Sequence, residues 1–373
     1  MEYPRQITVI QATSVLISTI VGVGVLPLPL FAVRAADTGA PLVTLLGILL
    51  AFTGLWTVTK LGMRFPNQSI IGYSEHVLGR WPAWIGSALI IGFFAVLTSL
   101  AAREFGEVVI TSVLRKTPLE VTVIVMLLLA TLSARNNLTT FVYIHQFYLP
   151  LILFPGILIV ALSLKNAEET NLLPLLGNEP VGMLPGIVTV AALLQGSFVH
   201  TIIIPAMRRP EKAMKASLWG MGIAGGLYLS IVTAAVAVFG PEETKLLLWP
   251  TLELAKTTTL PGNILERLDA AFLAVWVTAV FTTLFSSYYL TIRAVSRLLR
   301  LRDHKMFSFF MLPFLFVLAM LPDNIIHMYR IVEDVGRIGL GVTILYPMLL
   351  LLVARIRGKR GETHESGPSK SAK

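Results

Sequence analysis

Two glycines and two prolines interrupt the first long apolar run, Ile17-Ser-Thr-Ile-Val-Gly-Val-Gly-Val-Leu-Pro-Leu-Pro-Leu30. A lipid-spanning helix needs about 20 apolar residues, and this run with its flanks supplies them. Yet Gly22 and Gly24 are poor helix formers, and Pro27 and Pro29 have no N–H to donate. In hydrocarbon, backbone that leaves the helical pattern must line a cavity or be buried in protein. The run reads as a broken span, and a broken span points to a binding site near the bilayer midplane.

Composition agrees with a membrane chain. Of 373 residues, 55% are apolar and 14% charged, with mean hydropathy +0.76. An average soluble domain carries about 25% charged residues. The chain is therefore polytopic, and lipid covers much of its apolar surface. It has no cysteine, which excludes disulfides and thiol chemistry. The first apolar stretch lacks a small-residue cleavage site and continues as a span, so it does not read as a signal peptide.

Apolar runs between charged breaks predict about ten spans, at 8–33, 40–60, 82–112, 119–135, 141–164, 183–206, 216–239, 268–296, 306–322 and 336–355. The third is long enough to tilt, and the fourth is short. Basic residues alternate by loop. One side takes Lys60, Arg64 and Arg80, then Arg135, then the 208–215 cluster, then Arg297 to Lys305, then the tail, about 20 of the 30 Lys and Arg. The opposite loops carry Glu168-Glu169, Glu179 and Glu242-Glu243. The positive-inside rule then puts both termini in the cytoplasm. Basic runs near anionic lipid account for the net charge of +9 without nucleic acid. Within the 240–266 connection, Leu246 to Pro250 suggests a short interfacial helix, and the tail 361–373 reads as disordered. No Walker loop, zinc-ligand spacing, Gly-x-Ser-x-Gly or HExxH motif is present, so nothing argues for an enzyme.

Ten spans divide into repeats of about 8–164 and 183–355 in one domain, 1–360. Transporter folds often repeat in inverted form, so the sixth span should be interrupted like the first. It carries Gln195, Gly196 and Ser197 at its middle. Half-helix N-termini suit a carboxylate and freed carbonyls suit an ammonium, so a free α-amino acid fits such a pair of breaks. The plainer alternative is small residues for tight helix packing. Hydroxyls on the eighth span, Thr278, Thr282, Thr283, Ser286 and Ser287, either face that cavity or bond back to their own helix. Arg103 and Glu107 can pair at i,i+4 towards the outer end of the third span, with Glu104 beside them. His200 reads as a buried, satisfied histidine in preference to a proton relay.

Several stretches carry a resemblance: Gly22 to Pro29, Thr117-Pro118, Trp249-Pro-Thr251, Glu266-Arg267, Trp276 followed by Phe281-Thr-Thr283, and Leu321-Pro-Asp323. From about Pro4 to Arg357 the chain resembles the B subunit of spore germinant receptors, a branch of the amino acid–polyamine–organocation transporter superfamily. The Trp-Pro-Thr to Phe-Thr-Thr arrangement is the specific part. The resemblance implies an all-α, LeuT-like 5+5 inverted repeat with helices 1 and 6 broken. It implies a nutrient-sensing subunit in the spore inner membrane, working with A and C subunits and needing no cofactor. By motif the ligand site is then Gly22, Gly24, Phe93, Leu97, Gln195, Gly196, Ser197, Thr282 and Thr283. Where relatives often carry acids this chain has Ala101 and Val199, and where they often carry a base it has Leu30. Fewer charges would favour a different amino acid or a neutral nutrient. The competing reading is an ion-coupled amino acid symporter of the same fold. A third is a membrane anchor without a ligand.

Overall fold

A computed structural model describes residues 5–177, 183–257, 268–301 and 303–361. Glu179, Glu266-Arg267, Arg302, the last part of the 240–266 connection and the tail from residue 362 lie outside these. Described regular structure is helical, apart from one isolated bridge between Ile7 and Met207.

Local sequence sets the helix ends. A capping box opens the first span: the Gln11 N–H donates to Thr8 Oγ1 at 3.3 Å, and the Thr8 N–H donates to Gln11 Oε1 at 2.9 Å. The helix Val9–Ile20 then stops before Gly22, a single tight turn follows, and a second helix runs from Leu28 to Ala36 with Pro29 in its first turn. The sixth span divides in the same way into Met183–Leu193 and Gln195–Ala206, bent by 43°. Both expected interruptions are present.

Among the described residues, six helices are long and apolar enough to cross a membrane, or seven with the bent pair. Three shorter apolar helices, Val9–Ile20, Leu119–Ser133 and Lys305–Met320, stand where the first, fourth and ninth spans are expected. The tenth span begins at Ile325, eleven residues before the position read from sequence. Its first three turns carry Arg330, Glu333 and Asp334, which depress hydropathy without ending the helix. The interfacial helix is also displaced. It is Pro250–Thr257, with Pro250 at its start, and Leu247 to Trp249 are the link into it. The seventh span turns at Gly240, whose φ of 69° suits glycine, and continues as a short extension to Leu246. An unforeseen helix, Ile70–Leu78, lies between the second and third spans.

The N-terminal end of the first span and the C-terminal end of the sixth are tied by backbone. The Ile7 N–H donates to Ala206 O at 3.0 Å, and the Arg208 N–H donates to Ile7 O at 2.9 Å. Around them pack the second, third, seventh and eighth spans in one continuous buried core.

Candidate ligand-binding cavity

The break in the first span frees carbonyls that the intact helix would have used. Five carbonyls around it meet donors brought from other elements. Thr282 Oγ1 donates to Ser18 O at 2.7 Å, and Thr283 Oγ1 donates to Thr19 O at 2.9 Å. The Tyr228 hydroxyl donates to Ile20 O at 2.6 Å, and Trp276 Nε1 donates to Gly22 O at 3.3 Å. Thr251, on the helix beyond the seventh span, donates to Val25 O at 2.7 Å. The N–H groups of Val23 and Gly24 have no backbone acceptor among the described residues.

Beside this turn lies a cavity of about 940 Å³, its open mouth included. Its walls come from the first, third, sixth, eighth and tenth spans. Gly24, Leu97, Gly196 and Thr283, all expected site residues, line it. The other expected residues are outside the lining. Gly22 is pressed against Thr283, where an added Cβ would overlap the threonine side chain. Thr282 is spent on the Ser18 carbonyl. Phe93 packs edge-on against Phe94, and it is Phe94 that faces the cavity. Gln195 and Ser197 border a smaller void between the second, sixth and tenth spans, where Gln195 Nε2 donates to Gly336 O at 2.6 Å.

Groups beyond the expected site residues also reach the wall. Ser286 lines the cavity and exchanges a 2.7 Å hydrogen bond with Thr19 Oγ1. It reaches His145 Nε2 at 2.8 Å, so a buried histidine of the fifth span sits one hydroxyl behind the wall. Arg103 and Glu107 do form the expected pair, at 2.9 Å. Glu104 between them turns into the cavity instead. The spacing Leu97, Ala101, Glu104 places all three on one helix face, and that was the available signal. Ala101 and Val199 line the cavity as well. The tenth span contributes Glu333, which pairs with Arg337 at 3.1 Å. His200 is buried, with Ala213 O facing its ring but no hydrogen bond of normal geometry at either nitrogen.

Comparison with known proteins places this architecture. The family model described as "Spore germination protein" matches residues 6–327. Spore germination protein YndE of Bacillus subtilis (strain 168) is 26% identical over 359 residues, covering 96% of this chain and 98% of the relative. Spore germination protein GerLB of Bacillus cereus is 25% identical over 349 residues, covering 92% and 93%. The crystal structure of MhsT in complex with L-phenylalanine superposes with a TM-score of 0.68 at 13% identity, covering 96% of this chain and 91% of that one. At that identity the likeness concerns the fold, which is LeuT-like.

Proposed function

The chain belongs to the spore germination protein family, a group of multi-pass membrane proteins, and from that premise we propose that it is the nutrient-sensing subunit of a germinant receptor. The observation that carries this reading is the cavity into which Gly24 of the first break and Gly196 of the sixth both open. The spare N–H groups at Val23 and Gly24 are suited to a carboxylate, which supports an amino acid as the ligand.

In this reading the nutrient binds between the broken spans and favours one arrangement of the helices over another. Tight binding alone does not signal, because a ligand shifts an equilibrium only by its differential affinity. Moving a balance from 1:99 to 99:1 takes about a 10⁴-fold preference for the active arrangement. The A subunit receives that shift, the C subunit completes the receptor, and ion release follows. The site of action is the inner membrane of the spore, with both termini cytoplasmic. A single cysteine introduced at Ser371 should then be shielded from an impermeant thiol reagent, and one at Glu243 should be labelled.

The deciding experiment is Gly24→Leu. A Cβ added at Gly24 would already touch the Leu193 side chain at 3.5 Å, so the rest of a leucine crowds the space between the two spans. Spores with normal levels of the variant subunit should lose the dose response to nutrient. An unchanged response would remove the cavity from the sensing mechanism. Uptake of labelled amino acid by the wild-type protein in vesicles, without partner subunits, would favour the symporter.

A further inference from the structure

We propose that Glu104 selects the ligand by receiving a cationic ammonium group, so that the cavity takes an amine-bearing nutrient with an uncharged, apolar body. The inference rests on the cavity being the nutrient site and adds which chemistry that site requires.

The charge in the lining has one sign. Among the described residues that line the cavity, Glu104 and Glu333 are the acids, and none is Lys, Arg or His. Glu333 is already committed to Arg337. Glu104 is not committed. It is 4% exposed, and its Oε1 has no hydrogen-bond partner. Its neighbour Arg103 is turned away into the pair with Glu107. The Tyr329 hydroxyl, which accepts from Trp249 Nε1 at 2.9 Å, meets Glu104 on its other side. A buried carboxylate with an empty lone pair and no counter-ion carries a desolvation cost that a partner of opposite charge offsets. An ammonium supplies both the charge and the missing donor.

The freed carbonyls of the first break compete weakly for that ammonium. The carbonyls of Ser18, Thr19, Ile20, Gly22 and Val25 are each occupied by a protein donor. The first break therefore offers an ammonium little, and offers a carboxylate the Val23 and Gly24 N–H groups. Polarity across the cavity is thus fixed: anion at the break, cation at the third span. Phe94, Leu97, Leu100 and Leu193 line the same cavity and set the apolar body.

The test uses the purified full chain in detergent, with thermal shift and equilibrium binding at neutral pH. The probes are the twenty common amino acids and, for each that binds, its des-amino acid and its decarboxylated amine. Wild-type protein should bind at least one amino acid with an apolar side chain, and the des-amino acid should bind at least tenfold more weakly. Glu104→Gln keeps the shape and one acceptor but loses the charge. It should weaken the amino compound about 10- to 100-fold and erase the preference over the des-amino acid. Glu104→Asp keeps the charge one methylene further back and should weaken binding less than Glu104→Gln; it serves if the Gln variant fails to insert. Gly24→Leu separates the two claims. If it abolishes binding while Glu104→Gln retains both affinity and preference, Glu104 is not the selector and the cavity stands. If Gly24→Leu changes nothing, the cavity itself is misassigned and this inference goes with it. Equal binding of amino and des-amino compounds, or no binding of any amino acid, overturns the proposal.

Discussion

In the first span, five carbonyls around the break have side-chain donors from the seventh and eighth spans and from the helix Pro250–Thr257. In the sixth span the finish is different. Gln195 Oε1, both ring nitrogens of His200 and Thr201 Oγ1 are buried without a hydrogen-bond partner, and they make four of the seven such side-chain atoms among the described residues. Two interruptions that look alike as sequence are therefore unlike as structures. The first break keeps spare N–H groups at Val23 and Gly24, but five of its carbonyls are pinned by side chains of other elements, and pinning of that kind favours one arrangement. A break with buried unmet groups bears a cost of about 1–3 kcal/mol for each, and has partners to gain by moving. On this contrast the first span is expected to frame the cavity and the sixth to be the element that a ligand moves. That is the physical requirement for a ligand to shift a population.

The largest effect that separates the two belongs to Gly22→Ala. A Cβ there overlaps the Thr283 side chain and comes within 3.1 Å of Ala279 O, in the most tightly finished part of the frame. Overpacking of this kind typically costs about 1–3 kcal/mol. Gly24→Ala, whose Cβ comes no nearer than 3.5 Å to Leu193, should melt within about 0.5 kcal/mol of wild type. Melting temperatures of the two variants in one detergent make the comparison. Equal melting would mean that the first break is looser than its hydrogen bonds indicate.

Next comes Thr282→Val. It strands the Ser18 carbonyl in a dry core, at a cost of about 1–2 kcal/mol. Because Thr282 is outside the lining, the half-maximal nutrient concentration should hold while the melting temperature falls. Thr283→Val should move both, since Thr283 lines the cavity and holds Thr19 O. A rise in half-maximal concentration for Thr282→Val at unchanged stability would return that residue to the ligand.

Which parts of this were legible beforehand follows from range. Gly22, Gly24, Pro27 and Pro29 announce the first break because a glycine or proline acts on its own backbone. The donors that finish the break do not announce their partners. Thr251 stands in the Trp-Pro-Thr stretch, but it and Tyr228 lie more than two hundred residues from the carbonyls they meet, and nothing local says which carbonyl each serves. The resemblance carries Phe93 into the site, whereas Phe94 lines the cavity: adjacent positions on a helix diverge by about 100°, and only the packing decides which one faces inward. Glu104 was assigned to an outer interface because charge near a span end usually means that. Its period with Leu97 and Ala101 pointed inward. The tenth span was shortened for a related reason: acids that line a cavity mouth look, in a hydropathy reading, like a loop.

A smaller and opposite effect is expected in the sixth span. His200→Leu removes a buried polar ring that has no partner, so it should be neutral or raise stability by up to about 1 kcal/mol. If the present arrangement is the one being stabilised, nutrient then has to work against it. The half-maximal concentration should rise up to about fivefold at 1.4 kcal/mol per decade. Destabilisation comparable to that of Thr282→Val would show His200 to be structurally paired, and the contrast between the two breaks would close.

The smallest effect tests whether the frame extends to its far end. Asp37 ends the second half of the first span and forms an ion pair with Lys245 on the extension of the seventh. Hydrogen bonds that the Lys245 ammonium donates to Asp37 first, and then to Glu242, raise its pKa above the ordinary value. The sign follows from that direction. A lysine whose folded pKa is raised contributes stability that is fully present below its unfolded value, near 10.4, and is lost as pH rises through the folded value. Both side chains are partly exposed, at 30% and 25%, so the contribution is at most about 1 kcal/mol. Asp37→Asn keeps a residue that tolerates the positive φ of 49° and removes the charge. Its melting temperature should lie slightly below wild type at pH 7 to 9, and the gap should narrow above about pH 10. The nutrient half-maximum should stay where it is, because a frame pinned at several points does not move when one pin is weakened. A shift in half-maximum larger than the loss of stability would mean that the outer half of the first span travels during signalling, and that the first break, for all its satisfied carbonyls, is the hinge.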